Sequence, residues 1–275
     1  MSQRRQHVST TWEHGVATVT IDRAPVNAMA FSVYDELRQT FHELAEREDL
    51  GAVVLTGAGD RAFVGGHDVN EFVSLDFEGA TDRLAHVRIT FNSVYDCPVP
   101  VIAAINGPAI GTGLALASVC DIRLASDRAR FAMPEINVGV LGGSKHLMRL
   151  APQGMTRLMY YTGRRIDAHE ALRLGIVDEV HPHETVREAA TALAQEIAAK
   201  SPAAIRMAKQ GLNRVENMAL KEAYEYECTL TAAVRRTPEA AEGARAFLEG
   251  REPDYSSMTV DPVRPPTAED PDGSS

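Results

Sequence analysis

Val101-Ile-Ala-Ala-Ile-Asn-Gly-Pro-Ala-Ile-Gly-Thr-Gly-Leu-Ala-Leu-Ala-Ser-Val-Cys-Asp121 decides how this chain is read. An apolar, β-type run from Val101 to Ile105 stops at Asn106-Gly107-Pro108, and the pair Gly111 and Gly113 opens a helical run of small residues. Strand, sharp turn and helix N-terminus follow in that order. Glycines in such a turn let backbone approach a ligand closely, and the first N–H groups of a helix have no acceptor within it. The stretch reads either as a cradle for an anion or developing oxyanion, or as a glycine-rich connection that permits tight packing.

Working outward, the chain of 275 residues is 44% hydrophobic and 24% charged, enough for one large domain with a helical appendage. A net charge of −10 and a pI near 5.4 disfavour nucleic acid or an anionic membrane as partner, since both select a basic surface. No signal-type or membrane-spanning apolar run stands out, so the expected location is the cytoplasm. Cys97, Cys120 and Cys228 are an odd number without C-x-x-C spacing, and all three are expected as reduced, buried thiols. No metal site is expected, His181-Pro-His-Glu184 included, because helical i, i+4 spacing of ligands is missing.

Residues 1–7 are polar and expected to fray. Val8–Ile21 reads as a hairpin, and Ser32 as the N-cap of a helix carrying Val33, Leu37, Phe41 and Leu44 at helical spacing. Ala52–Thr56 is a strand apolar on both faces. Gly57-Ala-Gly-Asp-Arg-Ala62 fits the dinucleotide fingerprint formally, but Phe63-Val-Gly-Gly66 follows where a helix should start, and the assignment fails. Gly65-Gly-His-Asp-Val69 is a second glycine turn that could offer a backbone N–H at His67, or be a plain loop. A helix over Thr81–Tyr95, strands at Asp121–Ala125 and Ile176–Val180 and a helix near Lys145–Leu150 complete the alternation. Neither a P-loop nor a nucleophile elbow is present around Gly142-Gly-Ser-Lys-His146. Asp167 and Glu170 form a capping box whose helix ends at Gly175, and Ser201-Pro202 and Thr237-Pro238 start further helices. The residues beyond 255 lack periodicity and read as a disordered tail. Strand–helix alternation up to Val180, then helices alone, predicts an α/β core with a helical C-terminal part packed on the core or on another subunit.

The ordered set Gly57–Val69, Ala103–Gly113, Cys120-Asp121, Phe131-Ala-Met-Pro-Glu135, Thr162-Gly163 and Glu170–Asp178 resembles the crotonase (enoyl-CoA hydratase/isomerase) superfamily, from about Val8 to Tyr255. The resemblance implies a spiral ββα core over residues 1–200, a helical trimerisation region over 201–255 and a tail over 256–275. It further implies a homotrimer or hexamer, an acyl-CoA substrate that brings its own coenzyme A, and no other cofactor. Two backbone N–H groups then hold the thioester oxygen, at His67 and Thr112. Of two family glutamates one aligns with Glu135, and the other position is Ala115, which carries no proton chemistry. One carboxylate suffices to move a proton between carbons, whereas hydration suits two. The implied activity is double-bond isomerisation or hydration of an enoyl-CoA with Glu135 as the single acid/base. The alternatives are a methylmalonyl-CoA-type decarboxylase, suggested by Gly66-His-Asp68, and a non-catalytic acyl-CoA-binding paralogue, suggested by Ala115. Arg23, Ala28, Gly65, Gly66, Asp68, Gly111, Ala115 and Gly143 fall along the implied substrate-binding surface. Ser144, Lys145 or His146 either replaces the absent carboxylate or only begins a helix.

Overall fold

The computed structural model describes residues 2–73, 77–255 and 258, the side chains of residues 72, 73 and 77 excepted. Ten strands occur among them: β1 (Ser2–Arg4), β2 (Val8–Glu13), β3 (Val16–Ile21), β4 (Ala52–Gly57), β5 (Val101–Ile105), β6 (Ala109–Ile110), β7 (Ile122–Ser126), β8 (Arg130–Ala132), β9 (Arg165–Asp167) and β10 (Glu179–His181). The helices of the first half are α1 (Phe31–Ala45), α2 (Val69–Val73), α3 (Phe77–Tyr95) and α4 (Thr112–Val119). Then come α5 (Ser144–Met148), α6 (Gln153–Thr162), α7 (Ala168–Leu174), α8 (Val186–Ala198), α9 (Pro202–Val215), α10 (Leu220–Val234) and α11 (Pro238–Glu249).

Seven strands form one sheet in the order β1-β2-β3-β4-β5-β7-β10, and β6-β8-β9 form a smaller one. Pairing is parallel from β3 through β10 and antiparallel from β1 to β3. Parallel neighbours need a crossover, and α1, the α2–α3 pair and α4 supply them. The unbroken apolar runs in β4 and β5 have a two-sided explanation. Val53, Leu55, Val101, Ala103 and Ile105 face the main core, and alternate residues Ala52, Val54, Ile102 and Ala104 meet Val186, Ala190 and Ala194 of α8.

The sequence reading holds for the β2–β3 hairpin, for the caps at Asp167, Ser201 and Thr237, and for the left-handed Gly175 that ends α7. Four details differ. Residues 2–4 do not fray: they add an outer strand to β2, and Glu36 accepts the N–H groups of His7 and Val8 at 2.8 and 3.0 Å. Ser32 is not the N-cap of α1, which begins one residue earlier; the Phe31 N–H is taken by the Glu71 carboxylate at 2.8 Å, so a residue 40 positions away caps the helix. The strand expected at Ile176–Val180 is shifted to β10, because Ile176 and Val177 still bond back to Ala171 at the end of α7. Cys97 and Cys120 are buried, with their thiols pushed up to about 11 and about 12 by burial, but Cys228 is exposed on α10. The tail expected over residues 256–275 lies outside the described residues, Met258 apart.

α9 is fastened to the head of β5 by charge. Lys209, only 3% exposed, donates to both carboxylate oxygens of Asp121 at 2.6 and 2.7 Å, and Asp121 also accepts the Val101 N–H at 2.7 Å. Removing Lys209 leaves the partly buried Asp121 carboxylate with the Val101 N–H but without its cation, whereas removing both charges together costs far less. Lys209→Ala is expected to lower unfolding free energy by about 3 kcal/mol in urea titrations. The neutral pair Lys209→Met with Asp121→Asn should recover most of that loss.

Candidate active site

Two backbone turns are brought face to face by contacts that only glycine tolerates. Val64 pairs with Ala109, and the Ile110 N–H donates to the Val64 carbonyl at 3.0 Å. A Cβ on Gly113 would sit 2.1 Å from that same carbonyl oxygen, so the first turn of α4 presses directly on residue 64. Gly111 precedes the helix at φ +56°, and Thr112 occupies its first position, where an N–H has no acceptor within the helix. On the other side, Met29 donates to Gly66 at 2.8 Å and accepts from Asp68 at 3.1 Å. That bridge uses the groups of residues 66 and 68, so the N–H of His67 is turned away from Met29.

The side chains of the two turns meet on one phenol. The Tyr34 hydroxyl lies 2.8 Å from Nδ1 of His67 and 2.9 Å from Oγ1 of Thr112, and Tyr34 itself is 1% exposed. Arg83 sits below with its guanidinium 5.6 Å from the Tyr34 ring centroid, donating to Glu71 at 2.6 Å and to the Met29 carbonyl at 3.1 Å. Burial, helped by the Arg83 cation, lowers the His67 pKa to about 4, so its imidazole is neutral at physiological pH. Burial raises the Tyr34 hydroxyl above its ordinary range, and it stays protonated.

Glu135 begins a single 3₁₀ turn, Glu135–Val138, directly after β8 and Pro134. Its carboxylate packs on Gly111: a Cβ there would lie 2.7 Å from Oε1. Oε2 is buried and has no hydrogen-bond partner among the described residues, and burial raises the carboxyl pKa. Natural structures leave few buried polar atoms unpaired, and one in a site is a group held ready for something else. Ala115 points to Gly143, whose added Cβ would meet the Ala115 methyl at 2.8 Å and the Met133 Cε at 3.0 Å. Gly143 at φ +73° starts α5, so Ser144 is its first residue; the His146 ring packs edge-on against Phe91, with centroids 6.0 Å apart. Lys145 is exposed.

Arg23, Ala28, His67 and Asp68 line one cavity of about 700 Å³ with Pro25 and Asn70. Arg23 donates to Asp68 at 2.6 Å and to the Ala28 carbonyl at 3.1 Å, so its charge is already matched within the protein. Gly65 packs against Val26 at the base of this region, and Gly66 takes the positive φ of 116° that turns the chain towards His67. Among the described residues no three His, Cys, Asp or Glu side chains are grouped so as to hold a metal, and no helix is long and apolar enough to cross a membrane. Sequence reasoning missed Tyr34 and Arg83. Tyr34 follows Val33 on the buried side of α1 and reads as core; Arg83 lies in a helix whose charges otherwise read as solvated.

Residues 11–258 match the enoyl-CoA hydratase/isomerase family. A Rhodococcus jostii protein named (7aS)-7a-methyl-1,5-dioxo-2,3,5,6,7,7a-hexahydro-1H-indene-carboxyl-CoA hydrolase is 36% identical, over 89% of this chain and 95% of its own. The short-chain-enoyl-CoA hydratase of Clostridium acetobutylicum is 34% identical, over 87% of this chain and 93% of its own. The crystal structure of an enoyl-CoA hydratase from Bacillus anthracis superposes with a TM-score of 0.88 at 32% identity, covering 91% of this chain and 99% of that one.

The depressed His67 pKa has a consequence for stability. The unfolded imidazole takes up its proton near 6.5, the folded one only near 4, so the stabilisation is complete above 6.5 and is lost as pH falls towards 4. The loss amounts to roughly 3 kcal/mol at most. Urea titrations from pH 7.5 to 4 should show a shallower decline for His67→Gln than for the wild-type protein.

Proposed function

From the premise that this chain belongs to the enoyl-CoA hydratase/isomerase family, we propose that it acts on an enoyl-CoA thioester and moves a proton between two of its carbons. The N–H groups of His67 and Thr112 hold the thioester oxygen, and Glu135 is the single acid/base. Removing a proton beside the thioester makes the carbonyl an enolate, and donors aimed at its oxygen lower the barrier by several kcal/mol. The Glu135 carboxylate accepts the proton from the α carbon and returns it at the γ carbon, so the double bond shifts by one position and the enzyme ends unchanged. The observation that carries this reading is the buried, unpartnered Oε2 of Glu135, raised in basicity beside Gly111 and the start of α4.

Ala115 argues for isomerisation over hydration, since a methyl group packed on Gly143 cannot orient water. A methylmalonyl-CoA-type decarboxylation is less well supported: a neutral His67 is a weak anchor for a leaving carboxylate, and Glu135 would repel it. Arg23, Ala28 and Asp68 belong to the same reading as the entrance that receives the coenzyme A end. Homo-oligomerisation is also part of the proposal, supported by the exposed apolar side chains Leu212, Leu220, Phe247 and Leu248 on α9–α11.

Glu135→Gln is expected to cut turnover of a 3-enoyl-CoA by about 10²–10⁴-fold while leaving acyl-CoA affinity within a few-fold. Absorbance assays with crotonyl-CoA and a 3-enoyl-CoA, with calorimetry for binding, distinguish the outcomes; full activity in the variant would overturn the proposal. Stability should move the other way. A carboxyl whose folded pKa is raised contributes fully below about 4.5 and loses that contribution as pH rises through the folded value. The glutamine variant should therefore gain stability over wild type as pH is raised.

A further inference from the structure

One hydroxyl group touches both turns that the proposed reaction needs. Tyr34 comes from α1, outside either turn, yet its oxygen is 2.8 Å from the imidazole of His67 and 2.9 Å from the side chain of Thr112. The ring is held from several sides. Phe91 packs at 6.5 Å between centroids, the Arg83 guanidinium lies 5.6 Å from the centroid, and Thr90 donates to the Tyr34 backbone carbonyl at 3.1 Å. Arg83 is itself anchored by Glu71 and by the Met29 carbonyl, and Met29 is the bridge partner of His67. A side chain fixed in this way has little freedom left to lose and can act as a fixed point for its neighbours.

We propose that Tyr34 is a positioning residue that ties the Gly65–Asp68 turn to the N-terminus of α4, holding the two oxyanion donors at a fixed separation and coupling the tautomer of His67 to the Thr112 hydroxyl. The inference rests on the reading of His67 and Thr112 as those donors. A phenol has one proton, so the two bonds run in a single direction. Either Thr112 donates to Tyr34 and Tyr34 donates to Nδ1 of His67, or Nδ1–H donates to Tyr34 and Tyr34 donates to Thr112. The two directions put the imidazole proton on different nitrogens, so the tautomer of His67 and the orientation of the Thr112 hydroxyl change together. The groups facing the pair are Arg83, Glu71 and Glu135, and none of them needs to change charge for the tie to hold. Separation and orientation of preorganised donors matter most in the transition state, so a loose tie is felt in kcat before it is felt in binding.

Tyr34→Phe keeps the ring and removes only the oxygen. Thr112→Val removes the other partner while keeping the backbone N–H. Each variant is expected to lower kcat on a 3-enoyl-CoA by about 10–100-fold, with KM and the calorimetric affinity for acetoacetyl-CoA changed by less than about threefold and the circular dichroism unchanged. Nitrogen-15 spectra of the ligand-free protein provide an independent reading. The ratio of the two neutral His67 tautomers should differ between wild type and Tyr34→Phe. Unchanged kcat together with an unchanged His67 spectrum in both variants would overturn the proposal. Loss of affinity in proportion to kcat would overturn it as well, by making Tyr34 a general packing residue. If wild type turns over no acyl-CoA, the proposed reaction fails, while the tautomer comparison still decides whether the tie exists.

Discussion

The contact between Gly113 and the carbonyl of Val64 is the constraint on which the rest of the site depends. A side chain at residue 113 would need to occupy a point 2.1 Å from that oxygen, so helix α4 approaches this closely only because it has none. The approach sets where Thr112 begins the helix, and it fixes Gly111 at φ +56° beside Glu135. Parallel pairing of Val64 with Ala109 and of His67 with Met29 then places the second turn opposite the first. Main-chain hydrogen bonds on either side of residue 67 and just before residue 112 frame the two turns, and the Tyr34 hydroxyl bridges them.

Low polarity does two opposite things in this small volume. It raises the proton affinity of the Glu135 carboxyl and lowers that of the His67 imidazole, so both groups are driven towards their neutral forms. Arg83, a permanent cation beside Tyr34, is matched by Glu71, whose carboxylate also caps α1 through the Phe31 N–H. Several structural roles therefore converge on one ion pair. Arg83 adds to the burial that keeps His67 uncharged, clamps the Tyr34 ring and, through Glu71, secures the start of the helix that carries Tyr34.

Features written locally in the sequence were legible: the glycine turns at residues 65–66 and 111–113, the two-sided strand Ala52–Thr56, and caps such as Asp167 accepting from Glu170 at 2.8 Å. Their physical cause lies within a few residues of the motif. Long-range substitutes were not legible. Ser32 has the chemistry of an N-cap, but a carboxylate 40 residues on takes the role, and no local pattern announces it. Residues 2–4 carry no apolar alternation because both of their faces are exposed, and their strand is held by main-chain bonds to β2, with Arg4 reaching Asp22 at 3.5 Å. α6 escaped detection because its buried positions are Thr156 and Met159, too weak a stripe to mark a helix. Tyr34 occupies a core position on α1, and only the meeting of three elements gives its hydroxyl two partners.

Ala115 changes more than the count of catalytic groups. Two carboxylates sharing a desolvated site repel, and the proton affinity of each then depends on the charge of the other. Here residue 115 contributes a methyl that rests against Gly143, whose own left-handed conformation and lack of a side chain let the loop close onto it. What remains is one carboxyl shifted by burial alone, opposed only by a bond from its own backbone N–H. In the proposed reaction such a group needs no partner to receive the proton it removes. A reaction that takes a proton from one carbon and gives it to another asks for that and no more, because the base regenerates itself within one turnover. Hydration asks for a second group to hold water, and residue 115 offers only a methyl beside Gly143. The proposal of isomerisation rests on that methyl and on the glycine that faces it.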